Sequence, residues 1–359
     1  MPNPPIRILL VDDSRLALVL LQRMISTSPD LEVVGIATNG IQALEMLPEL
    51  NPSIICTDYD MPGMTGLQLT QEVMARFPCP ILVVSSAVGE SDSDRVFSIL
   101  EAGAVDVFPK PRGGLDAEPN AAEQFVKKIK IVSGVRVHGR RPKTQITSKE
   151  PKFVSPTFQK PVRLPQIIVI GASTGGPQAL KTILSQLPEN FPVPVICIQH
   201  ISSGFLDGLV SWLGAHTRNC VTISVANETP RRGKIYFPQE NTHLVIDHLG
   251  RIQPSFSAAV GGHRPSVTTS FCSVAEYYGD AAIGVLLTGM GSDGGAGMMA
   301  LSNAGALTIC QDEASCVIYG MPRDAVERGA ARFVLSLNDI AKALINAVIP
   351  GIDAFEGTI

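Results

Sequence analysis

The chain contains no CxxC pair, no apolar run approaching the length of a membrane span, and no large excess of either sign of charge. The first absence argues against a zinc cluster or a dithiol redox site. The thiols Cys56, Cys79, Cys197, Cys220, Cys272, Cys310 and Cys316 are odd in number, widely spaced and mostly set in apolar runs such as IICT and VICIQ. That is the pattern of reduced, buried cysteines in a cytoplasmic protein. The second absence leaves no segment for direct membrane insertion, and the short run ILLV meets Asp12 and Asp13 too soon to serve as a signal peptide. Cytoplasmic residence is the expectation. Third, a formal net charge of −4 argues against a surface wholly committed to nucleic acid. Length and apolar material are plentiful: 359 residues, 45% hydrophobic, predict two globular domains at roughly 150 residues each.

The small net charge hides a basic stretch. Residues 134–165 carry Arg136, Arg140, Arg141, Lys143, Lys149, Lys152, Lys160 and Arg163 against the single acid Glu150, together with five prolines and several hydroxyl residues. No apolar period runs through it, so it reads as an extended polar linker that repels itself and stays open. A nucleic-acid or membrane patch is the competing reading, weakened by the near absence of interleaved aromatics and, for DNA, of any helix-turn-helix pattern. The expected organisation is a first domain over 1–133, a linker over 134–165, a second domain over 166–350 and a tail over 351–359.

In the first domain IRILLV, LEVVGIA, SIICTD, CPILVVSS and VDVFPK read as strands separated by amphipathic stretches, the alternation of a parallel sheet covered by helices. Ligands gather at the carboxyl ends of such strands. There stand Asp12 and Asp13, then Asp58, then Ser85 and Ser86, then Lys110 before Pro111. Each acid alone is explained as a helix cap or a turn residue. Jointly, three carboxylates on one rim repel one another unless a cation holds them, and an oxygen-only pocket suits Mg²⁺. One carboxylate can then accept a phosphoryl group, with metal and lysine balancing charge.

The pattern DD, D, S and KP resembles the receiver domain of two-component response regulators over about residues 6–133. The resemblance implies Mg²⁺ held by Asp12, Asp13, Asp58 and the backbone carbonyl of Asp60. It further implies phosphorylation on Asp58, with Ser85 and Lys110 responding to the phosphoryl group. A histidine kinase of the CheA type would be the phosphodonor.

The second domain opens with the strand QIIVI running into GASTGGPQALKTILSQL. A strand, a glycine-rich turn and a helix suit phosphate binding or a nucleophile elbow. The turn matches neither GxxxxGK[ST] nor GxGxxG, and the next strand, VPVICIQH, ends without a ribose-binding acid, which disfavours a dinucleotide. It does contain GxSxG at Gly171–Gly175, projecting Ser173. His200 closes the adjacent apolar strand and is the preferred general base, with His263 in GGHRPS as the alternative. Asp293, in the glycine-rich turn MGSDGGAG, is preferred to Asp312 as the acid that orients the imidazole.

IGASTGG, IQH, GGHRPSV, LLTGMGSDGGAGM and TICQDEASCVIYGMP, in this order behind a receiver-like segment, resemble the CheB family of protein-glutamate methylesterases. The resemblance implies Ser173 as nucleophile, His200 as base, Asp293 as orienting acid and an oxyanion contribution from the backbone near Met290, with no cofactor for the esterase. The implied fold is α/β, two doubly wound parallel-sheet domains, one flavodoxin-like and one a Rossmann-like three-layer unit. The implied substrates are methyl-accepting chemoreceptors, whose glutamyl methyl esters are hydrolysed and whose glutamines are deamidated, with the receiver held against the catalytic rim until phosphorylated. Ile201 and Ser202 after the base, Thr268 after RPSV, and FPQEN at 237–241 depart from the usual family motifs and bear on receptor choice. The same chemistry in a non-flagellar chemosensory pathway and a phospho-regulated scaffold or DNA-binding protein are the competing readings.

Overall fold

The computed structural model describes residues 4–86, 90–111, 120–137 and 163–349. The chain divides into two compact units, Met1–Ser148 and Lys149–Ile359. Most of the basic stretch, including His138, and the tail expected over 351–359 lie outside the described residues.

In the first unit β1 (Ile6–Val11), α1 (Arg15–Ile25), β2 (Leu31–Ala37), α2 (Gly40–Leu50), β3 (Ile54–Thr57), α3 (Gly66–Arg76), β4 (Ile81–Ser85), α4 (Glu90–Ala102), β5 (Asp106–Pro109) and α5 (Ala121–Ser133) alternate strictly. The strands pair in parallel in the order β2-β1-β3-β4-β5. Strands covered on both faces need apolar side chains on both, and Ile8–Val11, Ile54–Cys56 and Ile81–Val84 are accordingly all buried. Ser14 caps α1 by accepting from Ala17 N, and Thr65 and Gln68 form a reciprocal capping box on α3. The strand order reverses between β1 and β3, which opens a crevice at their carboxyl ends.

The second unit runs β6 (Ile167–Ala172), α6 (Gly176–Leu184), β7 (Val195–Gln199), α7 (Leu206–His216), β8 (Cys220–Ile223), β9 (Lys234–Phe237), β10 (His243–Ile246), β11 (Ile252–Ser255), α8 (Val267–Tyr278), β12 (Ala282–Leu286), α9 (Gly295–Asn303), β13 (Leu307–Gln311), α10 (Met321–Glu327), β14 (Phe333–Leu335) and α11 (Leu337–Val348). Seven strands form one parallel sheet in the order β14-β13-β12-β6-β7-β9-β8, and β10 and β11 form a separate antiparallel hairpin. Ile167 and Val169 of β6 and Ile196 and Ile198 of β7 pack in one cluster with Val267, Phe271 and Val274 of α8 and Met298 and Leu301 of α9. Alternate residues face the other side of the sheet, where α6 packs with α7 and α11. The architecture is the doubly wound α/β class twice over. Here the order reverses between β6 and β12, and β7 is the other neighbour of β6.

One sequence expectation needs correcting. All described cysteines are free, but Cys220 and Cys272 are exposed and Cys316 is half-buried; only Cys56, Cys79, Cys197 and Cys310 are buried. Cys220 opens β8, the edge strand of the sheet, and Cys272 lies on α8 between the core residues Phe271 and Val274, so each meets solvent.

Candidate active site and acidic pocket

At the crevice of the first unit, Asp12 follows β1 and Asp58 follows β3, both buried, and Asp13 beside them is exposed. Oxygens of all three carboxylates lie within 4.8 Å of one another. Lys110, after β5, places Nζ 2.8 Å from Asp58 Oδ2 and 2.9 Å from Asp12 Oδ2. Its own amide donates to Ser85 O at 2.9 Å, which ties the lysine to the buried end of β4. Asp58 Oδ1 accepts from Tyr59 N at 2.8 Å. Burial pushes the Asp58 carboxyl above its ordinary range despite the lysine, while the two carboxylates outweigh burial at Lys110 and raise its pKa. Apart from that ammonium, the buried Asp12 Oδ2 has no hydrogen-bond donor among the described residues. Three carboxylates facing one ammonium leave an excess of negative charge, and an oxygen-only donor set with an undersatisfied buried oxygen fits a hard divalent cation.

In the second unit Ser173 sits on the turn between β6 and α6. Its amide donates to Thr288 O at 3.0 Å, and its carbonyl accepts from Gly176 N at 2.7 Å. Gln199, the last residue of β7, donates through Nε2 to Ser173 O and to His200 O, each at 2.8 Å. His200 N in turn donates to Ala172 O at 3.0 Å. Across the turn, a Cβ on Gly289 would stand 2.7 Å from Ser173 Cβ, so the segment after β12 runs against the serine only because residue 289 has no side chain. Gly175 opens α6 at φ +78°, a backbone region costly for other residues.

His200 Nε2 lies 2.9 Å from Asp293 Oδ2. Asp293 also accepts from Val267 N at 2.8 Å, from Thr268 N at 2.9 Å and from Ser266 Oγ at 3.0 Å, the first turn of α8. Burial disfavours the carboxylate, but the hydrogen bond and charge of His200 and the Thr268 amide outweigh it and hold Asp293 well below the usual carboxylate range. An ionised carboxylate only accepts, so Nε2 carries the imidazole proton and Nδ1 of the neutral ring is bare. That nitrogen is buried and has no hydrogen-bond partner among the described residues. An oriented imidazole with a free basic nitrogen at the strand end beside a serine-bearing turn can take a hydroxyl proton and return it to a leaving group.

The other sequence candidates take distinct places. His263 stacks on His200, ring centroids 4.0 Å apart and the ring planes nearly parallel at 1°. Asp312 instead accepts from the amide of Ser315 at 3.0 Å and serves its own turn. The amide of Met290 has no acceptor among the described residues, and its side chain is exposed.

Residues 168–344 match the family model for CheB methylesterase, and residues 8–116 match that for the response regulator receiver domain. A protein-glutamate methylesterase/protein-glutamine glutaminase of Syntrophus aciditrophicus is 36% identical over 95% of this chain and 97% of its own. One from Myxococcus xanthus is 39% identical over 97% of this chain and 98% of its own. The chain belongs to the CheB methylesterase family. The solved catalytic domain of a Thermotoga maritima CheB methylesterase is 34% identical, covers 51% of this chain and 99% of that domain, and superposes with a TM-score of 0.50.

Four residues escaped the sequence reading, although a CheB methylesterase fold depends on them here. Gln199 ties the serine turn to the histidine, as described above. Gln311 closes β13 and accepts from Thr288 N at 2.8 Å while donating to Ser315 O at 2.8 Å. Thr288 Oγ1 donates to Thr174 O at 3.0 Å and accepts from Ile318 N at 2.9 Å. Ser266 clasps Asp293. Buried polar residues ending apolar strands were the available signal, since each needs a partner.

Proposed function

We propose that this chain is a phosphorylation-controlled methylesterase that hydrolyses γ-glutamyl methyl esters on methyl-accepting chemoreceptors and deamidates receptor glutamines. The carrying observation is the His200–Asp293 pair at 2.9 Å with a bare Nδ1, set at the strand ends on either side of the Ser173 turn. Ser173 Oγ attacks the ester carbonyl carbon while His200 Nδ1 takes its proton. The amide of Met290 supports the oxyanion. Collapse of the tetrahedral intermediate expels methanol, which receives the proton from His200, and water activated by the same nitrogen hydrolyses the acyl-serine to the receptor carboxylate. With a glutamine side chain the leaving group is ammonia.

Control enters through the first unit. Asp58 accepts a phosphoryl group from a phosphohistidine of a CheA-type kinase, and Lys110 and the Ser85 hydroxyl contact it afterwards. Mg²⁺ would be held by Asp12, Asp13, Asp58 and the Asp60 carbonyl, and would offset the charge of the phosphoryl oxygens. The first domain spans 1–133, the linker 134–165 and the catalytic domain 166–350, all in the cytoplasm.

The test is methanol release from methylated receptor membranes by the purified chain, with and without a small-molecule phosphodonor. Release should rise on phosphorylation and vanish in Ser173→Ala. Activity surviving that substitution refutes the assignment. Salt-dependent DNA binding without methanol release would favour a regulator instead.

A further inference from the structure

We propose that His243 is a positioning residue for this esterase: a buried imidazole, accepting at Nδ1 and donating at Nε2, that sets the start of α8 and, through it, the Asp293 carboxylate. The inference rests on the catalytic reading of Ser173, His200 and Asp293. His243 opens β10 and is fully buried, 0% exposed. Its Nδ1 lies 3.0 Å from Ser266 N, and its Nε2 lies 3.2 Å from Ala258 O.

These two partners determine the state of the ring. A backbone N–H only donates, so Nδ1 must be the bare acceptor; a carbonyl only accepts, so Nε2 must carry the hydrogen. The opposite tautomer would set an N–H on Nδ1 against the Ser266 N–H, two donors face to face at a buried position. The ring is therefore a fixed acceptor and a fixed donor.

What it holds is the amino end of α8. Ser266 is the N-cap of that helix, accepting from Thr269 N at 3.2 Å through the same hydroxyl that donates to Asp293 Oδ1 at 3.0 Å. One hydroxyl has one proton and two lone pairs, and this arrangement uses both roles. The next two residues complete the clasp on Asp293 with the Val267 and Thr268 amides at 2.8 and 2.9 Å. Residues 266–268 thus grip the carboxylate that orients His200. The position of the first is set by the Ser266 amide, and that amide has His243 as its acceptor.

Two further bonds brace α8 on the same strand: Ser270 Oγ donates to Leu244 O at 2.6 Å, and Ile246 N donates to Ser273 Oγ at 3.1 Å. The hairpin, which contributes nothing to the main sheet, acts as a ruler for the helix that holds the acid. Loss of the His243 acceptor leaves the Ser266 amide unpaired, frees the cap to turn, and shifts Asp293 relative to His200.

The test compares three full-length variants in methanol release from methylated receptor membranes. His243→Asn keeps an acceptor oxygen near the Nδ1 position; His243→Gln moves its polar end to the Nε2 distance; His243→Leu removes both. For Asn, kcat should stay within about threefold of the parent. Gln and Leu should lose kcat by about ten- to a hundredfold, the scale of a sub-ångström to ångström misplacement, with KM within about twofold because substrate does not touch His243. Should Leu fail to fold, the Asn and Gln pair decides. Equal activities for Asn and Gln, or a loss confined to KM, overturns the proposal. Ser173→Ala in the same assay separates the two inferences: residual activity there refutes the catalytic reading, whereas an inactive Ser173→Ala beside an unaffected His243→Gln refutes only the role of His243.

Discussion

Asp293→Asn tests most directly what the acid in the second unit does. The carboxylate accepts four hydrogen bonds, from Ser266 Oγ, Val267 N, Thr268 N and His200 Nε2. An amide has one accepting oxygen and one donating nitrogen. If the Asn oxygen takes the Oδ1 place, it keeps Ser266 and Thr268; the nitrogen then faces the Val267 N–H and the His200 Nε2–H, both donors. His200 relieves the conflict by moving its proton to Nδ1, so that Nε2 accepts from the amide.

That proton now occupies the nitrogen that is bare in the parent, and the ring can no longer take a hydroxyl proton. The expected loss in kcat is about 10⁴, the magnitude that wrong-tautomer substitutions of this kind produce. The Val267 amide remains without an acceptor, which costs about 1–3 kcal/mol. The depressed pKa of Asp293 gives the sign with pH. A carboxylate whose folded pKa lies below its unfolded value near 3.9 contributes stability that is complete above that value and lost as pH falls through the folded one. The stability gap between parent and variant should therefore be full at pH 7 and narrow below about pH 4. Methanol release gives the first quantity and denaturant unfolding at pH 7 and pH 3.5 the second. A variant keeping more than about a tenth of parental kcat, or a gap that widens in acid, would refute the reasoning.

Gly289→Ala should lower kcat about ten- to a hundredfold and destabilise by about 1–3 kcal/mol. Its Cβ meets Ser173 Cβ at 2.7 Å, and residue 289 cannot retreat because it bonds to Ile318 O, Gly320 N and Met321 N; unchanged methanol release would show that the contact does not place the serine. Gln199→Glu puts a carboxylate where an amide now donates to two carbonyls at 2.8 Å. It should cost about 3–5 kcal/mol at neutral pH as an unpaired buried charge, with partial recovery in acid seen by thermal melts at pH 5 and 7. Asp58→Asn should abolish phosphoryl uptake and raise the stability of the first unit at pH 7. The folded pKa of Asp58 is raised, so its contribution is complete below the unfolded value near 3.9 and lost as pH rises through the folded one. Chemical denaturation showing no gain at pH 7 would contradict this.

Much of the architecture is legible because parallel strands buried on both faces must be nearly continuous apolar runs, and IRILLV, SIICTD, VPVICIQH and AAIGVLLTG each appear as such. Edge strands β8 and β14 and the hairpin strand β11 are half-exposed, and their mixed composition carries no comparable period. Ser173 and Asp293 stand out in sequence because glycines around them mark turns where backbones approach closely. Gln199, Thr288, Ser266 and His243 do not, because the partners that tie them to the site, Ser173, Thr174, Asp293 and Ser266 respectively, lie 23 or more residues away and only the fold brings donor to acceptor. Polar residues of this kind look like ordinary turn and cap residues until the sheet order is known.

Asp58 and Asp293 show how far surroundings decide what one residue type does. Both hold largely buried side chains beyond the carboxyl ends of parallel strands beside a reversal in strand order, although the Asp293 residue as a whole is half-buried. Asp58 has two donors, Tyr59 N and an ammonium that it shares with Asp12, and burial wins, raising its pKa. Asp293 has four donors to itself, three from the first turn of a helix whose amide dipoles favour negative charge, and burial loses. A carboxylate with raised basicity and one donor on each oxygen is suited to attack phosphorus and to share a cation. One saturated with donors is a poor nucleophile and a weak base, which suits the role proposed for Asp293 of orienting the ring and stabilising its charged form. The two roles differ in donor count, and a substitution that added a donor to Asp58 or removed one from Asp293 should move each toward the other's chemistry.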